Sequence, residues 1–108
     1  MRSYIKKLEE ELVNMCKDML NLITKHLIPQ AKKAQHGESE VFYLKLQGDY
    51  FRYVAEVGEG ERLEKATERA LDCYNKATER AEEVSLSPAD PTRLALLLNF
   101  AVFCHETI

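Results

Sequence analysis

Apolar and polar positions along this chain recur with a period near 3.6 residues, and no sustained two-residue alternation occurs. From Tyr4 to about Lys33, the residues Ile5, Leu8, Leu12, Met15, Met19, Leu22 or Ile23 and Leu27 follow one another in steps of three and four. That spacing predicts an amphipathic helix, with Ser3 as its N-cap and Pro29 kinking or ending it. An offset apolar set, Val13, Cys16 and Leu20, widens the stripe and predicts contact with more than one neighbour. A polar turn from Ala34 to Ser39 follows, with Ser39 a candidate cap. The second helix, about Glu40 to Val57, is apolar around most of its circumference, so it is expected at the centre. Gly48 in its middle costs about 1 kcal/mol relative to alanine and allows close approach of a neighbour.

Gly58-Glu59-Gly60 interrupts the pattern. A third helix, Glu61 to about Val84, turns Leu63, Ala66, Ala70, Cys73, Tyr74, Ala77 and Ala81 inward, and its charge run (Glu79, Arg80, Glu82, Glu83) reads as a solvated face. After a loop, Asp90 is placed to cap a fourth helix with Pro91 in its first position. That helix, Thr92 to about Thr107, is the most apolar stretch. The expected fold is all-α, a single domain of four helices with sequential neighbours antiparallel.

The bulk numbers narrow the function. A chain of 108 residues fits one domain with a modest core. A net charge of −3 argues against a general nucleic-acid partner. Three widely spaced cysteines, Cys16, Cys73 and Cys104, form no CxxC pair and no signal peptide is evident, so reduced thiols in a cytoplasmic protein are expected. No apolar run reaches the ~20 residues of a transmembrane span, so no membrane partner is expected.

The chemistry concentrates on two stripes. Lys45, Asp49, Arg52 and Glu56 fall on one side of the second helix, with Tyr53 at its edge, and Asn99 and Glu106 share a face of the fourth with Val102 beside them. Charged residues seldom lie deep unless paired or put to use. If the two stripes meet across a groove, the set suits a phosphate dianion. The arginine donates in bidentate fashion, the lysine adds a compact charge and the tyrosine a hydroxyl. The Asn99 amide, both donor and acceptor, can pair with an extended peptide backbone. Glu56 and Glu106 would hold the two cations. The competing reading is a buried ion-pair network that only sets helix register. Catalysis is disfavoured. His26, His36 and His105 are scattered, no metal-ligand spacing or Gly-rich loop occurs, and the adjacent Cys104, His105 and Glu106 point about 100° apart. No metal, cofactor or enzymatic activity is expected.

Two long motifs go further. Val41-Phe-Tyr-Leu-Lys-Leu-Gln-Gly-Asp-Tyr-Phe-Arg-Tyr-Val-Ala-Glu-Val and Asp90-Pro-Thr-Arg-Leu-Ala-Leu-Leu-Leu-Asn-Phe-Ala-Val-Phe-Cys-His-Glu closely resemble the signatures of the 14-3-3 family. The first helix, with Leu12-Val-Asn-Met-Cys-Lys-Asp-Met-Leu and Leu27-Ile-Pro, is similar to that family's fourth helix. The resemblance runs the length of the chain and implies an adaptor that binds phosphoserine or phosphothreonine peptides. By position, Arg52 and Tyr53 look like the phosphate-binding pair, with Lys45 on the groove wall. Asn99 looks like the residue that bonds the peptide backbone, Leu98 and Val102 like the apolar side of the groove, and Glu106 like the acidic support of the basic cluster. Tyr4, Lys7 and Glu11 resemble dimer-interface residues, so a homo-oligomer is expected. Ala95 stands where the family usually has glycine, Cys104-His105 where it has an aromatic pair, and the turn after Pro29 is slightly longer. The resemblance covers only the fourth to seventh of nine helices. A lysine and a second arginine of the phosphate cluster lie in the first three; a second clamping asparagine and a tryptophan lie in the last two. The chain is then a fragment, a divergent short member or a redesign, and its phosphopeptide binding is expected to be weakened. The alternative is a structural, self-assembling helical module with a vestigial groove.

Overall fold

The computed structural model describes residues 2–107. It is all-α: helices α1 (Arg2–Leu22), α2 (Ile28–Lys33), α3 (Gly37–Val57), α4 (Gly60–Glu83) and α5 (Pro91–Thr107), with a π-helical turn, Ile23–Leu27, joining α1 to α2. Because Leu22 and Ile28 keep right-handed helical geometry, α1, the π turn and α2 form one rod, and the fold is four rods. Pro29 therefore does not end the first helix. It occupies the opening of α2, where the missing N–H is tolerated. The Ile28 N–H reaches back five residues to the Ile23 carbonyl, so the ladder has already been widened where the proline would disturb it.

The π turn also resets which side of the rod faces inward. The buried positions run Val13, Cys16, Ile23 and then Ile28, Ala31, a step of five across the turn. The stripe made by Val13 and Cys16 is the buried one. The more regular set, Ile5, Leu8, Leu12 and Met15, lies exposed, with Met15 66% accessible.

Helix α3 is central, as its all-round apolar pattern predicts, and it contacts every other helix. Side-chain pairs give the directions. Gln47 bonds Thr24 while Cys16 packs with Val54, so the first rod and α3 run antiparallel. Glu40 at the start of α3 bridges Arg80 near the end of α4, at 3.1 Å, which makes that pair antiparallel too. Arg80 thus belongs to an interhelical bridge rather than to a wholly solvated charge run. Thr92 reaches Glu38 and Glu106 reaches Arg52, so α3 and α5 run side by side in the same direction. The start of α3 also differs from expectation. The His36 Nδ1 accepts from the Ser39 N–H, so His36 is the cap and Ser39 lies within the first turn. Asp90 caps α5 through the Thr92 and Arg93 N–H groups, and Pro91 opens the helix.

The main core joins Val41, Ala70, Tyr74, Ala77, Ala81, Leu96 and Phe103, where small residues on α4 let the aromatic rings of α4 and α5 interlock. Only Leu96 and Phe103 of α5 are buried, while Leu94, Leu97 and Leu98 lie largely open. The radius of gyration is 14.7 Å, against about 13 Å for a compact chain of this length. The molecule is a slab of 48 × 30 × 22 Å, and its size leaves α1 and α5 each with one apolar face uncovered.

Candidate functional site

The site is built outward from Asp49, which lies mid-way along α3 and is 3% accessible. An unpaired carboxylate at that depth would be costly. Asp49 is supplied by three helices. Lys45, one turn earlier on α3, donates to Oδ2 at 2.6 Å. The Tyr74 hydroxyl of α4 donates to Oδ1 at 2.5 Å. The Asn99 amide of α5 donates to both oxygens at 3.1 Å. Among the described residues no buried side-chain nitrogen or oxygen lacks a partner, so the network is closed.

Gly48 makes the Tyr74 contact possible. A Cβ there would stand 2.8 Å from the Tyr74 ring, well inside van der Waals contact. The glycine lets the ring lie flat on α3 and carry its hydroxyl to the next residue, Asp49. Burial pushes the Tyr74 hydroxyl pKa well above its ordinary value, and the hydrogen bond to Asp49 pushes it further, so the group stays a donor.

Arg52 lies one turn beyond Asp49. Its Nε donates to the Tyr74 hydroxyl at 3.3 Å, Nη1 lies 3.5 Å from Glu56 and 3.9 Å from Glu106, and Nη2 lies 4.0 Å from Asp49. The guanidinium also sits over the Tyr53 ring, 5.1 Å from its centre. Burial opposes the Arg52 charge, but the Tyr74 hydroxyl and the nearby Tyr53 and Asp49 outweigh it and raise its pKa. Glu56 is held above the usual carboxylate range by desolvation first and then by the neighbouring Glu106. Desolvation, then the Asp49 charge, also raises Tyr53. A cleft of about 250 Å³ opens beside Arg52, bounded by Glu56, Leu63, Phe103 and Glu106.

The two sequence stripes therefore meet. Lys45, Arg52, Asn99 and Glu106 converge, with Tyr53 against Arg52. Leu98 and Val102 lie on the open side of α5, 62% and 37% accessible. Tyr4, Lys7 and Glu11 lie in the first half of α1 and are exposed. Both glutamates pair with Arg52, whereas Lys45 is held by Asp49. Sequence alone gives Tyr74 no role beyond an inward position, yet it joins α4 to both Asp49 and Arg52. The available signal was its size: the one large polar ring on an alanine-rich face, facing a helix with a mid-length glycine. A second polar chain ties the back of α3, with Gln47 donating to the Thr24 hydroxyl at 2.8 Å and accepting from the Cys73 thiol at 3.6 Å. Burial raises the Cys73 pKa to about 11, so it stays a thiol. Among the described residues, no three His, Cys, Asp or Glu side chains converge as a metal site requires, and no helix is long and apolar enough to cross a membrane.

The family model described as 14-3-3 protein matches residues 1–108. Relatives along most of the chain include 14-3-3 protein homolog 2 of Echinococcus multilocularis, 50% identical over 95% of this chain and 40% of its own length. Checkpoint signal transducer rad25 of Schizosaccharomyces pombe is 46% identical over 99% of this chain and 38% of its own length. The 14-3-3-like protein GF14 epsilon of Arabidopsis thaliana is 43% identical over the whole chain and 41% of its own length. The chain spans about two fifths of the length of the curated relatives it matches.

Proposed function

The chain belongs to the 14-3-3 protein family, and from that premise we propose that α3 and α5 carry one wall of a phosphoserine/phosphothreonine-peptide site of an adaptor, not an enzyme. Arg52 and Tyr53 are assigned to the phosphate, Asn99 to the peptide backbone through its uncommitted carbonyl oxygen, and Leu98 and Val102 to the apolar side. Lys45 and Glu106 are assigned to the support of the polar cluster. The observation that carries the reading is the buried Asp49 carboxylate, which fixes an α5 amide beside an α3 guanidinium, with a cleft open at the guanidinium.

The cluster also supports weak binding by these residues alone. Two cations, Lys45 and Arg52, face three carboxylates, Asp49, Glu56 and Glu106. A phosphate must compete with them for the guanidinium. Each charge-assisted contact absent from this stretch costs about 1.5–3 kcal/mol, roughly ten- to a hundredfold in affinity. Calorimetric titration with a phosphoserine peptide is expected to give affinity well weaker than micromolar, lost on Arg52→Ala. Sub-micromolar affinity, or an Arg52→Ala variant that binds as well as the parent, would contradict the proposal.

A second reading has its own support. Both cations already have carboxylate partners, as in a register-setting scaffold with a vestigial groove. That reading predicts no dependence of binding on phosphate. Three free thiols, two of them buried, suit the reducing cytoplasm in which we place the protein.

A further inference from the structure

On the far side of α3 from Asp49 lies a larger cleft. Counting about 100° per residue, Val54 and Phe51 sit about 140–200° around the helix from Asp49, so this cleft shares a helix with the Arg52 site but not a face. It encloses about 700 Å³ between α1, α3 and α4. Its floor is apolar, with Leu20 from α1 and Phe51 and Val54 from α3. Its rim is cationic: Lys17 stands on α1, and Arg62, Lys65 and Arg69 line the α4 side.

This concentration of charge runs against the molecule, whose net charge is −3. One carboxylate, Glu61, lies at the rim and pairs with Lys65 at 3.3 Å. Arg69 is steadied over the Phe51 ring, 5.8 Å from its centre. Lys17 and Arg62 have no ion-pair partner among the described residues, whereas the buried Lys45 and the half-buried Arg52 each have carboxylate partners. The three α4 cations recur at steps of three and four and extend over about 10 Å along the helix axis. A single small anion cannot engage a row of that length with Lys17 on the opposite wall. An elongated ligand with several carboxylates can. The apolar floor requires a bulky hydrophobic side chain between them, which a nucleic-acid backbone does not offer.

We propose that the α1–α3–α4 cleft is a second, phosphate-independent docking site for an acidic peptide segment in which carboxylates flank a leucine or phenylalanine. The carboxylates pair with Lys17, Arg62 and Lys65 at the rim, and the apolar side chain rests on Phe51 and Val54. Rim pairs of this kind act through long-range attraction, so binding falls with salt.

The test is fluorescence anisotropy of a labelled hexapeptide, Glu-Glu-Leu-Phe-Glu-Glu, titrated with the full chain. Saturable binding that weakens about tenfold at high salt is expected. The Arg62→Glu, Lys65→Glu double variant, its helicity unchanged by circular dichroism, should bind at least about tenfold more weakly. A phosphoserine peptide with no other acidic residue should not displace the probe. Failure to saturate, equal binding of a lysine-substituted probe, or displacement by the phosphoserine peptide would each overturn the proposal. So would preferential capture of an oligothymidylate over the probe.

Discussion

Gly48, Asp49 and Tyr74 show how few atoms decide the Arg52 site. The Gly48→Ala substitution improves helix propensity by about 1 kcal/mol, but its Cβ would press on a Tyr74 ring that is fully buried. Overpacking of that kind costs about 1–3 kcal/mol, so the clash outweighs the propensity. A lowered urea midpoint for Gly48→Ala is the expected outcome, and a raised midpoint would show that the ring can give way. Glu56 offers a pH-dependent counterpart. Its carboxyl is held above the usual range when folded, by desolvation and then by Glu106, and returns to the ordinary value when unfolded. Below about pH 4 both states hold the proton and no penalty exists. As pH rises through the ordinary and then the raised value, the unfolded chain releases its proton first and stability declines. Glu56→Gln should therefore be more stable than the parent at pH 7, with the difference vanishing in acid. Thermal melts across that range check it; a variant less stable at pH 7 would mean that the ion pair with Arg52 prevails. At this scale the sequence revealed the charged stripe but not its centre. Asp49 looks like any other carboxylate on the stripe until Tyr74 and Asn99 are brought to it from 25 and 50 residues away.

At the scale of elements, periodicity located the four rods and the central place of α3. It did not say which apolar stripe of a doubly striped helix faces inward. On α1 the regular set is exposed and the offset Val13 and Cys16 are buried, and the π turn carries that buried face on to Ile28 and Ala31. The Pro29 signal was present, but a local widening of the ladder absorbed it instead of a break. Helix α5 misleads for a related reason. It is the most apolar stretch of the sequence, yet Leu94, Leu97 and Leu98 lie largely exposed. Exposed faces of this kind associate, and we infer that the α1 face, which also carries Tyr4, Lys7 and Glu11, is where two copies meet. Met15→Glu, on the exposed stripe, should abolish self-association in sedimentation velocity with the helix content intact. Val13→Glu, which buries a charge, should instead unfold the chain. If Met15→Glu leaves an oligomer of the same size, α1 is not the interface.

At the scale of the whole molecule, the slab shape and the charge balance of the cluster point the same way. Helices α3 and α5 run side by side and hold Arg52, Tyr53 and Asn99 together, but the carboxylates that organise the cluster also shield its cations. The family could be read from two motifs. The closing of the cluster around one aspartate could not, because it depends on packing α4 between helices far apart in sequence. The central claim is that phosphate on a peptide is sensed by Arg52 and its backbone by Asn99. The most direct measurement is an NMR titration of the chain with one peptide, in phosphorylated and unphosphorylated forms, that follows the Arg52 Nε–H and the Asn99 side-chain amide. Weak, fast-exchange shifts of both signals with the phosphorylated peptide alone are the expected result. Shifts of equal size with the unphosphorylated peptide, or none at either residue when the phosphorylated peptide is in large excess, would contradict it.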